Sequence, residues 1–161
     1  MSKSIFIALA LLLTGCGFKP LYQAEGGNSK MVLTKLASID IAPIPDRLGQ
    51  IMRNRMLDLF GSTSTPDYHL SVTIHDEIEG YGFRSDAAVT QEQVTMKAVI
   101  VLTAITSDDI EYETTLQART SYDVVLSDFA TYTQREDAKR RLVEELAEQL
   151  HRRLALHFRK Q

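Results

Sequence analysis

Four histidines, one cysteine and 21 carboxylates are the first side chains to test for metal binding, nucleophilic attack or proton transfer in this 161-residue chain. His69 and His75 share one face of an alternating segment, but six residues of strand hold them roughly 20 Å apart, too far for one ion. His151 and His157 lie in a helical segment, about 120° apart around its axis and more than one turn apart along it, so they do not converge either. Carboxylate pairs such as Asp108-Asp109 and Glu144-Glu145 are the kind that solvated turns and helix faces produce by default. No Gly-x-Ser-x-Gly elbow, His-Glu-x-x-His pair or P-loop occurs, and Gly80-Tyr81-Gly82 lacks the third glycine and following helix of a dinucleotide fingerprint. The sequence therefore predicts no enzyme, no metal and no other cofactor. A single cysteine also excludes an intrachain disulfide framework and any Cys-rich metal centre.

The position of that cysteine gives it a different chemistry. Lys3 precedes an unbroken apolar run over residues 5–13, and the run ends in Leu13-Thr14-Gly15-Cys16. This is the anatomy of a secretory signal peptide. Nine apolar residues fall well short of the roughly 20 that span a bilayer as a helix. Leu-Thr-Gly-Cys resembles the bacterial lipobox, in which small residues admit a peptidase to the bond before a diacylated cysteine. The expected product starts at Cys16, with 146 of the 161 residues, and carries covalent lipid as its only added group. One acyl chain binds a membrane marginally, whereas several anchor it stably. Gly17 in place of Asp after the cysteine favours, by the usual sorting pattern, the outer membrane on its periplasmic side.

Behind this anchor the chain reads as one domain with a tether. Residues 1–15 form the leader, 16–37 the lipidated N-terminus and flexible tether, and 38–161 the folded body. Residues 38–42 alternate as a short strand closed by Pro43 and Pro45. A helix fits 47–60, with Asp46 as N-cap, Gly61 as stop, and Leu48, Ile51, Met52, Met56, Leu59 and Phe60 on one face. Gly49 weakens its first turn by about 1 kcal/mol relative to Ala. Three strands follow. Residues 68–75 alternate; 94–106 contain Ala98-Val99-Ile100-Val101-Leu102, apolar on both faces as for a strand with some cover on each side; and 112–125 alternate again. Ser107-Asp108-Asp109 should turn the last two into an antiparallel hairpin, while 80–93 reads as a longer connection. The last helix begins within 128–133 and runs to about Phe158, with Leu142, Val143, Leu146, Ala147, Leu150, Leu154 and Phe158 inside one arc of about 160°. The order β-α-β-β-β-α predicts an α+β two-layer sandwich, a four-stranded mixed sheet with two helices on one face.

Charge supports this picture and excludes one partner. A net charge of -3 argues against a nucleic-acid binder. From Arg135 onward, however, eight Lys+Arg face five Asp+Glu. Either the helix dipole simply favours cations near its C-terminus, or Arg152, Arg153, Arg159 and Lys160 meet an anionic surface.

Three stretches carry a resemblance to a known family. Cys16-Gly17-Phe18-Lys19-Pro20-Leu21-Tyr22, the Arg53-Asn54-Arg55-Met56 region and Ala147-Glu148-Gln149-Leu150 resemble the mature start, first helix and last helix of the lipopolysaccharide-assembly lipoprotein family LptE. The resemblance implies an outer-membrane lipoprotein that plugs the lumen of the barrel protein LptD, assists its assembly and contacts lipopolysaccharide during insertion into the outer leaflet. It also implies a basic contact residue between the second and third strands, matched here by Phe83-Arg84. A second basic position just before the last helix is occupied by Thr131 or Tyr132, which leaves Arg135 as the nearest substitute. The alternative is a lipid-anchored auxiliary or scaffold subunit of another envelope lipid-transport complex.

Overall fold

The protein, as a computed structural model, is described over residues 27–61, 64–83 and 89–160. Its elements are α1 (Gly27–Ala37), β1 (Ile39–Ile41), α2 (Asp46–Phe60), β2 (Tyr68–Phe83), β3 (Val89–Ala104), β4 (Ile110–Asp123) and α3 (Asp128–Lys160). The strands form one mixed sheet in the order β1-β2-β3-β4, with β1 parallel to β2 and the other pairs antiparallel. The expected two-layer α+β architecture is present, with one helix more than expected.

Alternation along β3 decides where the core lies. Val94, Met96, Ala98, Ile100 and Leu102 are buried, and their cross-strand partners Leu70 and Val72 on β2 and Leu116 and Ala118 on β4 are buried with them. Against this face α3 lays the whole apolar arc read from its sequence, from Ala138 and Leu142 to Phe158, and α2 adds Met52, Met56 and Phe60. Each fully buried Leu, Met or Phe contributes about 1.5–3 kcal/mol of transfer free energy, so this seam is the main stabilising term. Both helices run in the same direction, since Arg47 lies near Arg140 and Phe60 stacks on His151. α2, with 15 residues, runs along the middle of α3, from beside Glu136 and Arg140 to His151; α3, with 33, is about 50 Å long. The 16-residue strands β2 and β3 match that length at about 53 Å.

Four expectations are corrected. The stretch read as tether is helical from Gly27, and α1 seats Val32 and Leu36, one turn apart, in the common core. The connection read over 80–93 is mostly paired: Glu79 faces Gln93, Gly80 faces Glu92, and Phe83 still faces Val89. The glycines did not break the strand because Gly82 takes φ +74 within it while Thr90 Oγ1 donates to its carbonyl. Cover on both faces of β3 is not found either; Val99 on the outer face is 37 % exposed, and burial strictly favours the helix side. Asp46 makes no side-chain cap, standing at φ +65 behind Pro45. Gly61 does stop α2 as expected, at φ +80 with its N–H donating to Leu57 O.

Candidate functional site

The two helix motifs singled out in the sequence touch each other. Arg55 Nη2 on α2 donates to Glu148 Oε1 on α3 at 2.6 Å, Arg53 Nε donates to the Ile41 carbonyl at 3.1 Å, and Met56, Ala147 and Leu150 are buried beside them. These residues set the angle between the helices and hold α2 to β1. They are joints, and their side chains are spent on one another.

At the opposite end of α3 the hairpin of β2 and β3 meets the start of the helix. Gln91 pairs with Asp123, and Val124 N–H donates to Thr90 O, so β4 hands the chain to α3 beside the hairpin. Ser127 accepts from Ala130 N–H through its hydroxyl and caps the helix. Phe83 is the last residue of β2; Arg84, like Cys16, lies outside the described residues. Arg135, one helical stretch further on, points onto the sheet. Its Nη2 donates to Glu92 Oε2 at 2.8 Å and its Nε to the Tyr122 hydroxyl at 2.7 Å, while that hydroxyl donates to Glu92 in turn. The Tyr122 hydrogen bond, with help from Arg135, holds the Glu92 carboxyl below its usual range; burial opposes it. Burial and the Glu92 carboxylate push the Tyr122 hydroxyl up, and the bonds to Tyr122 and Glu92 raise the guanidinium. One turn along, Lys139 Nζ reaches Asp76 Oδ2 at 2.6 Å. These two ionic links fasten the far half of the hairpin to α3, the Lys139–Asp76 link beside the first turn of α2 and the Arg135–Glu92 link one turn of α3 closer to its start.

The same end carries an apolar cluster that sequence reasoning missed. Leu126 is 97 % exposed, Phe129 77 % and Tyr132 57 %, with Val125 and Tyr81 also open to solvent. Phe129 and Tyr132 stand three residues apart and share a helix face. Periodicity could not single them out, because Phe129 and Tyr132 fall within the α3 packing arc on the helical wheel and yet stand exposed at the start of the helix. Large exposed apolar side chains at one end of a fold are the kind that meet protein or lipid where they form a continuous patch.

The histidines are dispersed as read. His69 pairs with Asp40 on the outer sheet face, His151 is buried against Phe60, and His157 packs between Tyr112 and Phe158. Among the described residues no group of three or more His, Cys, Asp or Glu is placed to hold a metal, and no helix is long and apolar enough to cross a membrane.

The whole is thus a mixed sheet braced on one face by helices, with an exposed apolar end and an ion-paired hairpin. The chain belongs to the family described as LptE: Lipopolysaccharide-assembly, which it matches over residues 36–154. Solved structures share the fold. A Caulobacter crescentus CB15 protein described as a lipoprotein superposes with TM-score 0.64 at 18 % identity, over 82 % of this chain and 98 % of its own. The minor lipoprotein of Acinetobacter baumannii gives 0.56 at 16 % identity, over 73 % and 91 %. The rare lipoprotein B of Shewanella oneidensis gives 0.53 at 14 % identity, over 72 % and 89 %. No curated protein matches the chain significantly.

Proposed function

We propose that this chain is a lipid-anchored lipoprotein on the periplasmic side of the outer membrane that seats in the LptD barrel as a plug, assists its assembly and contacts lipopolysaccharide on its way to the outer leaflet. The observation that carries the reading is the family match over 36–154; the lipobox-like Leu13-Thr14-Gly15-Cys16 supports the anchor. Contact with the glycolipid falls to the hairpin end. Arg84, in the connection after Phe83, supplies charge-assisted hydrogen bonds to lipid A phosphates. Arg135 holds the strands beneath that contact through Glu92 and Tyr122, and the exposed Leu126, Phe129 and Tyr132 offer apolar area beside it.

Purification from membranes with mass identification of what comes along tests the reading. A stoichiometric, detergent-resistant complex with a much larger barrel protein is expected; recovery of the chain alone overturns it. Replacing Cys16 by Ala should abolish acylation, as read by mass.

A further inference from the structure

Beyond α3's ion-paired middle, its last turns present a face unlike any other among the described residues. Residues 149–160 contain four Lys+Arg and no Asp or Glu. At 100° per residue, Arg152, Arg153, Leu156, Arg159 and Lys160 fall within about 120° of one another, and all five are exposed. Leu156, in the middle of that arc, is 39 % exposed although Leu154 and Phe158 on either side of it are fully buried. Only Arg152 has a carboxylate nearby, Glu148 at 3.8 Å, and that carboxylate is already held by Arg55 at 2.6 Å. Among the described residues no ion pair engages Arg153, Arg159 or Lys160.

Charge is also sorted by layer. The three helices carry 13 Lys+Arg against 8 Asp+Glu, and the four strands 2 against 8. An anionic surface is therefore met by the helices and repelled by the open sheet face.

The chain that leads back to Cys16 leaves from this part of the body. α1 packs beside the end of α3, with Lys35 Nζ 5.4 Å from the centre of the Phe158 ring. Its outer side exposes Lys30, Met31 and Leu33. From Gly27 to Cys16 the chain reaches at most about 37 Å, and α1 itself is only about 16 Å long. An anchor at Cys16 keeps the end of α3 within reach of the head groups, where each cation gains most.

We propose that the face formed by Arg152, Arg153, Leu156, Arg159 and Lys160 is a membrane-surface contact that lies on anionic phospholipid head groups, with Leu156 entering the interface between the four cations. This rests on the lipid-anchored reading above for its location; the surface chemistry stands on the helix alone.

The test uses residues 17–161, which keep every member of the core, since that core draws only on residues 32–158. This chain lacks the leader and the acylated cysteine, so any vesicle binding belongs to the folded body. Sedimentation with vesicles of phosphatidylglycerol and phosphatidylcholine should capture it, and pure phosphatidylcholine should not. Each surface cation is worth about fivefold in affinity, so R153A/R159A should bind about 25-fold more weakly, with an unchanged urea midpoint. Binding of the parent should fall steeply with salt, a readout that survives even if the variant misfolds. Equal binding to both vesicle types, a salt-independent affinity, or an unweakened folded variant overturns the inference. Capture by lipopolysaccharide aggregates but not by phosphatidylglycerol overturns it as well, and would give this face to the glycolipid. Barrel co-purification is read separately, so its failure with vesicle binding intact sinks the functional reading alone, and the converse sinks only this one.

Discussion

Replacing Arg135 by Met isolates the link that fastens the hairpin to α3. The substitution keeps most of the side-chain stem but removes two charge-assisted hydrogen bonds, to Glu92 Oε2 at 2.8 Å and to the Tyr122 hydroxyl at 2.7 Å. Sheltered bonds of this type contribute about 1.5–3 kcal/mol each. The pair is partly open, with side-chain exposures of 32 % for Arg135 and 20 % for Glu92, so solvent removes about half of that. Glu92 also retains the Tyr122 hydrogen bond, which spares it the full cost of an orphaned charge. We expect a loss of about 2 kcal/mol in urea unfolding, and a coupling of about 1 kcal/mol in the double-mutant cycle with Glu92→Gln. The sign with pH follows from Glu92. Its folded carboxyl lies below the usual 4.5, so its contribution is complete above that value and is lost as the pH falls through the folded pKa. Amide exchange should accelerate in the far half of β2 and β3 and stay unchanged around Ile100. A coupling within ~0.3 kcal/mol of zero at neutral pH, or one that persists unaltered in acid, would refute the strut.

Three further outcomes are expected. Gly49→Ala should destabilise by about 1–2 kcal/mol although Ala is the better helix former, because its Cβ would stand 2.6 Å from Ile44 Cγ2 and 2.8 Å from the Ile44 carbonyl oxygen; a gain in urea midpoint would show that Ile44 gives way freely. Burial, then Arg152, pushes the His151 imidazole below its usual 6.5 against the pull of Glu148, so the unfolded chain takes up the proton first and stability drops as pH falls below that value. His151→Phe should flatten this slope, and an unchanged pH profile would remove His151 as its cause. Arg84→Asp should weaken lipopolysaccharide binding while leaving the unfolding midpoint alone, and unaltered binding would end the contact role.

What the sequence made legible was periodicity. The core arc of α3 and the inward residues of β2, β3 and β4 follow from spacings of 3.6 and 2, and the structure buries them as read. α1 escaped notice because, of its described side chains from Lys30 to Ala37, only Val32 and Leu36 are buried, too few to make a stripe. The extension of the hairpin was hidden by Gly80 and Gly82, which act as breakers in isolation but are carried by a register already set at Leu70 and Leu102. Val99 and Val101 suggested cover that does not exist, since β-branched residues suit a strand on an open face too. The Arg135, Glu92 and Tyr122 network joins residues 13 to 43 positions apart, and no local pattern announces such a meeting. Likewise Arg55 and Glu148 were each visible as motif residues, but their bond across 93 positions was not.

The matched lengths of α3 and the β2–β3 hairpin, each near 50 Å, make the body a ruler. A bilayer measures about 40–45 Å between the outer limits of its head groups. The basic end and the apolar end of the body stand somewhat farther apart than that, and residue count fixes their separation. Removing two turns from the middle of α3, with the matching strand residues, would leave both ends chemically intact and bring them about 11 Å closer together.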